Sequence, residues 1–91
     1  MSEFNLMELL EYIPASDLNY SEWVNVGMAL KTEGYSVDDW DQWSSHDHRY
    51  KRGECSRKWN SFRGEGFTGA TITQMAKDRG WEPKGGNFVF D

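Results

Sequence analysis

Residues 19–34, NYSEWVNVGMALKTEG, carry the clearest helix signal in the chain. Asn19 and Glu22 have the spacing of an N-terminal capping box, and Gly34 suits the left-handed residue that closes many helices. The residues between these signals that share one helical face are Trp23, Val26, Gly27 and Leu30. A glycine inside a helix costs about 1 kcal/mol relative to alanine, so Gly27 indicates a close approach by another helix. We predict a helix over residues 20–33.

Two further helices are predicted on either side of this one. The first starts at an Asn5 cap and continues to Ile13, because leucines recur at helical intervals until Pro14 forbids continuation. The other begins at a Ser36 cap, has a first turn rich in aspartate, and closes near residues 44–47.

Two more helices are predicted in the second half of the chain. One spans residues 53–62. The other follows a Thr71 cap, and Gly80 with Trp81 has the pattern of a Schellman stop. Apolar and polar residues do not alternate convincingly with period two in residues 1–81, so we expect no sheet there.

Large aromatic rings dominate the apolar residues. The 91 residues include five Trp, four Tyr and five Phe, and small domains depend on such bulky side chains for stability. The side chains predicted to form the core are Trp23, Leu30, Trp40, Trp43, Trp59 and Phe62. We predict one all-α domain over residues 1–81, a compact bundle of about five short helices.

The last ten residues differ in composition from the rest. Pro83 and a Gly-Gly pair precede the sequence NFVF at residues 87–90. We therefore predict that residues 82–91 are an extended tail, a short strand that packs back, or the start of a linker to a following domain.

Signals for secretion or membrane insertion are absent from the sequence. Cys55 is the single cysteine and cannot form an internal disulfide, and the amino terminus has no basic start or apolar run. No segment approaches the ~20 apolar residues of a membrane span. We expect a cytoplasmic protein.

Charge is divided unevenly along the chain. Residues 1–48 hold ten acidic side chains and one basic side chain, Lys31, whereas residues 49–91 hold nine basic and five acidic side chains. The net charges are −9 and +4, and residues 49–63 alone carry +5. This asymmetry indicates a surface that meets an anionic partner, and the alternative is that the two halves attract each other.

Candidate catalytic groups are few. Asp39 and Asp41 could resemble a two-metal carboxylate pair, but residues two apart on a helix point about 200° apart. His46, His48 and Cys55 are too few for a zinc site, which favours four ligands at set spacings. Cys55 lies on a predicted apolar face and is better explained as a small core residue. We predict no metal, no cofactor and no catalytic residue.

Four segments in order resemble the primase C-terminal domain of the second type (PriCT). They are EWVNVGMALK at 22–31, WDQWS at 40–44, ECSRKWNSF at 54–62, and Thr71-Ile72 with Ala76. The resemblance covers about residues 6–81. It implies an all-helical domain of phage, plasmid and prophage replication proteins, found beside a primase catalytic domain or a superfamily-3 or virulence-E-type helicase. Such domains are thought to assist priming or engage the template, and the family lacks a well-defined active-site motif.

One feature departs from the family's pattern. The domain usually follows a catalytic module, whereas here it begins within a few residues of Met1. We expect either the amino-terminal piece of a larger helicase-like protein or a stand-alone copy. The resemblance carries over no polymerase activity, because the catalytic residues of a primase belong to a different domain.

The basic second half supplies the candidate contacts to nucleic acid. Helical angles in the 53–62 segment place Arg57 outward. They place Lys58, Arg52 and Arg63 beside the core, where long side chains can reach around its edge. The candidate nucleic-acid-binding residues are Arg49, Lys51, Arg52, Arg57, Lys58, Arg63, Lys77 and Arg79.

Two functions from different classes remain open. In the first, the chain is a non-catalytic accessory module of a phage-type DNA primase or helicase, and its basic half contacts template or primer-template nucleic acid. In the second, it is a protein-docking domain whose acidic half binds a basic replisome subunit or helicase domain. The expected partners are thus nucleic acid or other primase and helicase domains, and not a membrane.

Overall fold

The computed structural model describes residues 5–63 and 66–82, and regular structure in these ranges is helical. The helices are α1 (Leu6–Leu10), α2 (Tyr20–Thr32), α3 (Val37–Ser44), α4 (Glu54–Ser61) and α5 (Gly69–Asp78), with a 3-10 turn at Ala15–Asp17. The predicted all-α fold of five short helices is confirmed, and no strand occurs within these ranges. The predicted tail, apart from Glu82, lies outside the described residues.

The predicted ends of α2 and the predicted start of α3 are confirmed. The Asn19 side chain accepts a hydrogen bond from the Glu22 backbone N–H, while the Glu22 carboxylate accepts one from the Asn19 N–H. Ser36 and Asp39 make the same reciprocal pair of bonds at the start of α3. Gly34 has a φ of 88°, the left-handed conformation that closes α2. Local contacts thus fix these helix ends before any tertiary packing is considered.

The first helix is shorter than predicted. α1 ends at Leu10, and the N–H groups of Tyr12 and Ile13 bond to carbonyls three residues back. The predicted extension to Ile13 is wrong because the residue before a proline is disfavoured in the α-helical conformation, so the chain tightens into a turn ahead of Pro14. The α1 side chains that reach the core are Leu6, Leu9 and Leu10, and Ile13 joins them from the turn.

The fifth helix begins earlier than predicted. It starts at Gly69 with Thr68 as its N-cap, and the Gly69 N–H donates to the Glu33 carboxylate at 2.7 Å. The predicted cap at Thr71 is wrong because the contact with Glu33 stabilises a helix start three residues earlier, at Thr68. No local sequence pattern indicates that contact. The predicted stop at Gly80 is confirmed by its φ of 100°.

The core is an aromatic cluster beside α2. This helix packs against α3, α4 and α5, while α1 packs against α5. Trp40 is completely buried and stacks on Trp23, with ring centroids 4.4 Å apart. Trp59 and Phe62 approach the Trp40 ring at centroid distances of 5.9 and 5.5 Å. The predicted core is confirmed, with Trp23 and Trp59 only partly buried at its edge.

Candidate nucleic-acid interface

Arg49 fastens the loop between α3 and α4. Its guanidinium forms an ion pair with Asp47 at 2.8 Å and donates to the carbonyl oxygens of Leu18 at 2.8 Å and Ala15 at 3.2 Å. Hydrogen bonds from the Arg49 side chain hold the pKa of Asp47 below its ordinary value, and the same bonds raise the pKa of Arg49. A phosphate would have to compete with these three partners to reach this predicted contact residue.

Three exposed cations lie near the start of α4. Lys51 and Arg52 lie in the turn before α4, and Arg57 is on α4 and faces solvent, as predicted. The Arg57 guanidinium reaches back to the start of the helix, where an ideal Cβ on Gly53 would lie 3.3 Å from its Nη1. The helical angle predicted for Arg52 does not apply, because α4 begins at Glu54. These three exposed cations therefore lie around the beginning of one helix.

Lys58 links this group to the start of α2. It is half-buried, and its Nζ lies 5.3 Å from the centroid of the Tyr20 ring, within the range of a cation–π contact. This position agrees with its predicted place beside the core. Arg63 is exposed and follows the end of α4, so a helical angle does not apply to it. We refer below to Lys51, Arg52, Arg57 and Lys58 as the basic surface.

The remaining two candidates lie on a different element. Lys77 is an exposed residue of α5, and Arg79 is its C-cap. The Arg79 guanidinium donates to the Met75 carbonyl oxygen at 3.1 Å, which ties it to its own helix. Because α5 packs mainly against α1 and α2, the structure does not join this pair to the basic surface through helix packing.

A cleft of about 460 Å³ opens beside the basic surface. Tyr20 and Trp23 from α2, Lys51 from the turn and Cys55 from α4 are among its lining residues. The Trp23 Nε1 donates to the Ser44 hydroxyl at 2.7 Å, so the orientation of this indole is fixed. The cleft thus combines a rigid aromatic wall with an exposed cation.

Two titratable side chains at the cleft, Cys55 and Tyr50, are held in their neutral forms. Burial raises the pKa of the Cys55 thiol to about 11, which keeps it protonated near neutral pH. The Tyr50 hydroxyl donates to the Asp41 carboxylate at 2.8 Å, and this bond raises the pKa of Tyr50. The Cys55 environment therefore opposes a nucleophilic role, and its predicted place in the core is confirmed.

Three of the metal-capable side chains considered from sequence contact neighbouring groups of the chain. Asp39 caps α3, Asp41 accepts the Tyr50 hydroxyl, and His48 lies 3.4 Å from Asp47. Within residues 5–63 and 66–82, no three side chains of His, Cys, Asp or Glu are grouped so that they could hold a metal ion.

The acidic half has a cleft of its own. Its volume is about 530 Å³, and its lining residues come from α1, α3 and the turns that follow them. Met7 and Trp43 supply apolar surface there, while Glu11 and Asp39 supply carboxylates. This combination fits a basic partner with an apolar contact better than it fits a polyanion.

Two residues with contacts near the basic surface were not predicted from the sequence. Tyr20 was not singled out, although it lies three positions before Trp23 in the first turn of α2, and this spacing places both rings on one face of the helix. Lys31, the single cation of the first half, donates to the Trp59 carbonyl oxygen at 2.8 Å and lies 5.8 Å from the Trp59 ring. That contact joins α2 to the end of α4, and no pattern in the sequence indicates it.

Comparison with protein families gives a match over most of the chain. The family model of the primase C-terminal domain 2, PriCT-2, matches residues 6–76, from the first residue of α1 into α5. The resemblance noted in the sequence is confirmed by this match. Searches of the curated proteins and of the solved structures found no match. Each helix in the described part of the chain is too short or too polar to span a lipid bilayer.

Proposed function

We propose that this chain, which belongs to the primase C-terminal 2 family, is a non-catalytic accessory domain of a phage-type DNA primase or helicase. In this role it contacts template or primer-template nucleic acid during replication, in the cytoplasm of a bacterial host. Family membership supports the association with a primase. The observation that supports the contact is the exposure of Lys51, Arg52 and Arg57 around the start of α4.

The proposed contact is made to phosphates and not to base edges of a duplex. Side chains such as Lys51 and Arg57 on the outside of a short helix can pair with phosphate oxygens, which positions a protein without reading sequence. Residues 49–63 carry +5 while residues 1–48 carry −9, so binding of the isolated domain is expected to be weak at physiological salt. Attachment to a primase or helicase would raise the effective concentration of nucleic acid at this surface.

Titration of a labelled single-stranded oligodeoxynucleotide at about 50 mM salt tests the proposal. Arg57→Glu is expected to weaken binding about tenfold, and circular dichroism should remain helical because Arg57 is exposed. Lys77→Glu is the matched control: it changes the net charge equally but lies on α5, so its effect should be smaller. Absence of binding by the wild-type protein, or equal losses in both variants, would contradict the proposed surface.

A second candidate function is protein docking through the acidic half. The cleft beside α1 and α3 favours it, because Glu11 and Asp39 lie next to apolar surface there. The partner would be a basic replisome subunit or a helicase domain of the parent protein.

Charge reversal distinguishes this candidate from the first. Glu11 lines this cleft and is exposed, so Glu11→Lys should reverse one of its carboxylates and leave the fold intact. Loss of binding to the parent helicase domain, with unchanged or stronger binding to DNA, would favour docking as the function of the acidic half.

A further inference from the structure

The mouth of the cleft beside the basic surface holds an exposed aromatic ring. Among the described residues, the large hydrophobic side chains that remain exposed are Tyr12 and Tyr20, with exposed fractions of 47% and 53%. Tyr20 lines the cleft, whereas Tyr12 does not. A single exposed ring is common on protein surfaces, so the informative feature of Tyr20 is its position at an apolar cleft, where a ligand could pack against it.

The Tyr20 ring is supported by the aromatic core. Its centroid lies 5.6 Å from that of Trp23, and Trp23 stacks on the fully buried Trp40. Lys58 holds its ammonium group 5.3 Å from the Tyr20 ring centroid. A flat group that packs against Tyr20 would therefore extend an existing series of rings, at little cost in side-chain ordering.

The charged side chains that line the cleft balance one another, so the cleft favours an occupant that is itself neutral. Asp47 and Arg49 form an ion pair inside the lining, and Glu54 offsets Lys51. Most of the remaining surface is apolar, and the volume of about 460 Å³ falls in the usual range for small organic groups, roughly 300–1,000 Å³. Lys51 lines the cleft and Lys58 lies against Tyr20, so both cations could meet phosphates that flank an occupant.

From these features we infer that the cleft accepts an unpaired base of single-stranded nucleic acid, which packs against Tyr20 while the adjoining phosphates lie toward Lys51 and Lys58. This inference rests on the proposed function and assigns a base-binding site to the surface that otherwise contacts phosphates. A base within a duplex is stacked and paired and cannot enter, so the site selects single strands. An acidic peptide would place its carboxylates against Glu54, which a neutral base does not.

Two oligonucleotides with equal phosphate content test the inference. One is oligodeoxythymidine of about ten nucleotides, and the other is the same backbone with every base removed. The wild-type protein should bind the thymidine strand about tenfold more tightly, which is the contribution expected from stacking of one base. Tyr20→Ala should bind the two strands alike, while Tyr20→Trp should keep the preference. Tyr12→Ala is the matched control, since it removes the other exposed tyrosine and should leave the preference unchanged.

The outcomes separate this inference from the function on which it rests. Equal binding of both strands by the wild-type protein would overturn the base site and leave phosphate contact standing. Binding of neither strand at about 50 mM salt would overturn the proposed function as well. A preference retained in a folded Tyr20→Ala would also overturn the site, and so would displacement of the thymidine strand by poly-glutamate as readily as by the abasic strand. If Tyr20→Ala does not fold, the wild-type and Tyr20→Trp comparisons still decide the question.

Discussion

An ideal Cβ placed on Gly27 would lie 2.5 Å from atoms Cε2 and Cζ2 of Trp40. The backbone of α2 is therefore in direct contact with the buried indole that α3 contributes to the core. Because Trp40 also stacks on Trp23, this approach positions the aromatic series that ends at Tyr20 beside the cleft. Because Gly27 has no side chain, Trp40 can lie against α2, and its position in turn sets that of the rings beside the cleft.

Replacement of Gly27 by alanine should destabilise the protein. The added methyl group must displace a fully buried ring, and overpacking of this kind usually costs 1–3 kcal/mol, more than the gain of about 1 kcal/mol in helix propensity. We expect Gly27→Ala to lower the free energy of unfolding in urea by about 1 kcal/mol or more. Thr32→Ala, at an exposed position of the same helix, should change it by less than about 0.5 kcal/mol. An alanine variant as stable as wild type would contradict the close approach.

The ion pair between Asp47 and Arg49 should make stability depend on pH. Bonding to Arg49 lowers the pKa of Asp47 from an ordinary value of 3.8, so its contribution is fully present above that value. It is lost as the pH falls through the lowered pKa of the folded state. We expect Asp47→Asn to cost about 1 kcal/mol near neutral pH, a modest figure because the Arg49 side chain is half exposed. Urea unfolding at several pH values should show the difference from wild type shrinking below about pH 4, and a constant difference would argue against this role.

Local patterns predicted helix ends where the partner groups are close in sequence. The capping boxes of Asn19 and Ser36 and the left-handed Gly34 depend on residues a few positions away, and all three are confirmed. The start of α5 was wrong because its first N–H bonds to Glu33, which lies 36 positions earlier. Local signals therefore fail where a tertiary contact selects between two similar caps.

The sequence predicted which segment of the chain carries the candidate site, but not how the side chains of that segment are arranged in space. Net charge indicates residues 49–63 correctly as the cationic part of the chain. It does not reveal that Arg49 is held by Asp47 and two carbonyl oxygens, or that Lys58 lies over Tyr20. These contacts depend on how the loop before α4 folds onto the 3-10 turn, and that geometry has no periodic signal in the sequence.

Cys55 should be unreactive in the folded protein. Burial raises its pKa from 9.0 to about 11, which reduces the thiolate fraction about a hundredfold near neutral pH. We expect a chromogenic disulfide reagent to modify Cys55 at least about a hundredfold more slowly in the native protein than in concentrated urea. Modification of the native protein at the rate seen in urea would show that the thiol is accessible, contrary to its burial.

The salt dependence of the binding constant should show how many phosphates the basic surface contacts. For about four contacts to a single strand, one for each cation of the basic surface, the logarithm of the binding constant should fall with the logarithm of salt concentration at a slope of roughly −2.8. Arg57→Ala should remove one contact and bring the slope to roughly −2.1, while Lys77→Ala should leave it unchanged. A slope near zero in the wild-type protein would exclude phosphate contact as the source of affinity.

Backbone amide chemical shifts, followed during titration with oligodeoxythymidine at about 50 mM salt, test most directly where nucleic acid meets this domain. The largest changes are predicted for residues 51–58, together with residues 19–23 at the start of α2. Changes concentrated on α1 and α3, or no changes at all, would contradict a nucleic-acid interface at the basic surface.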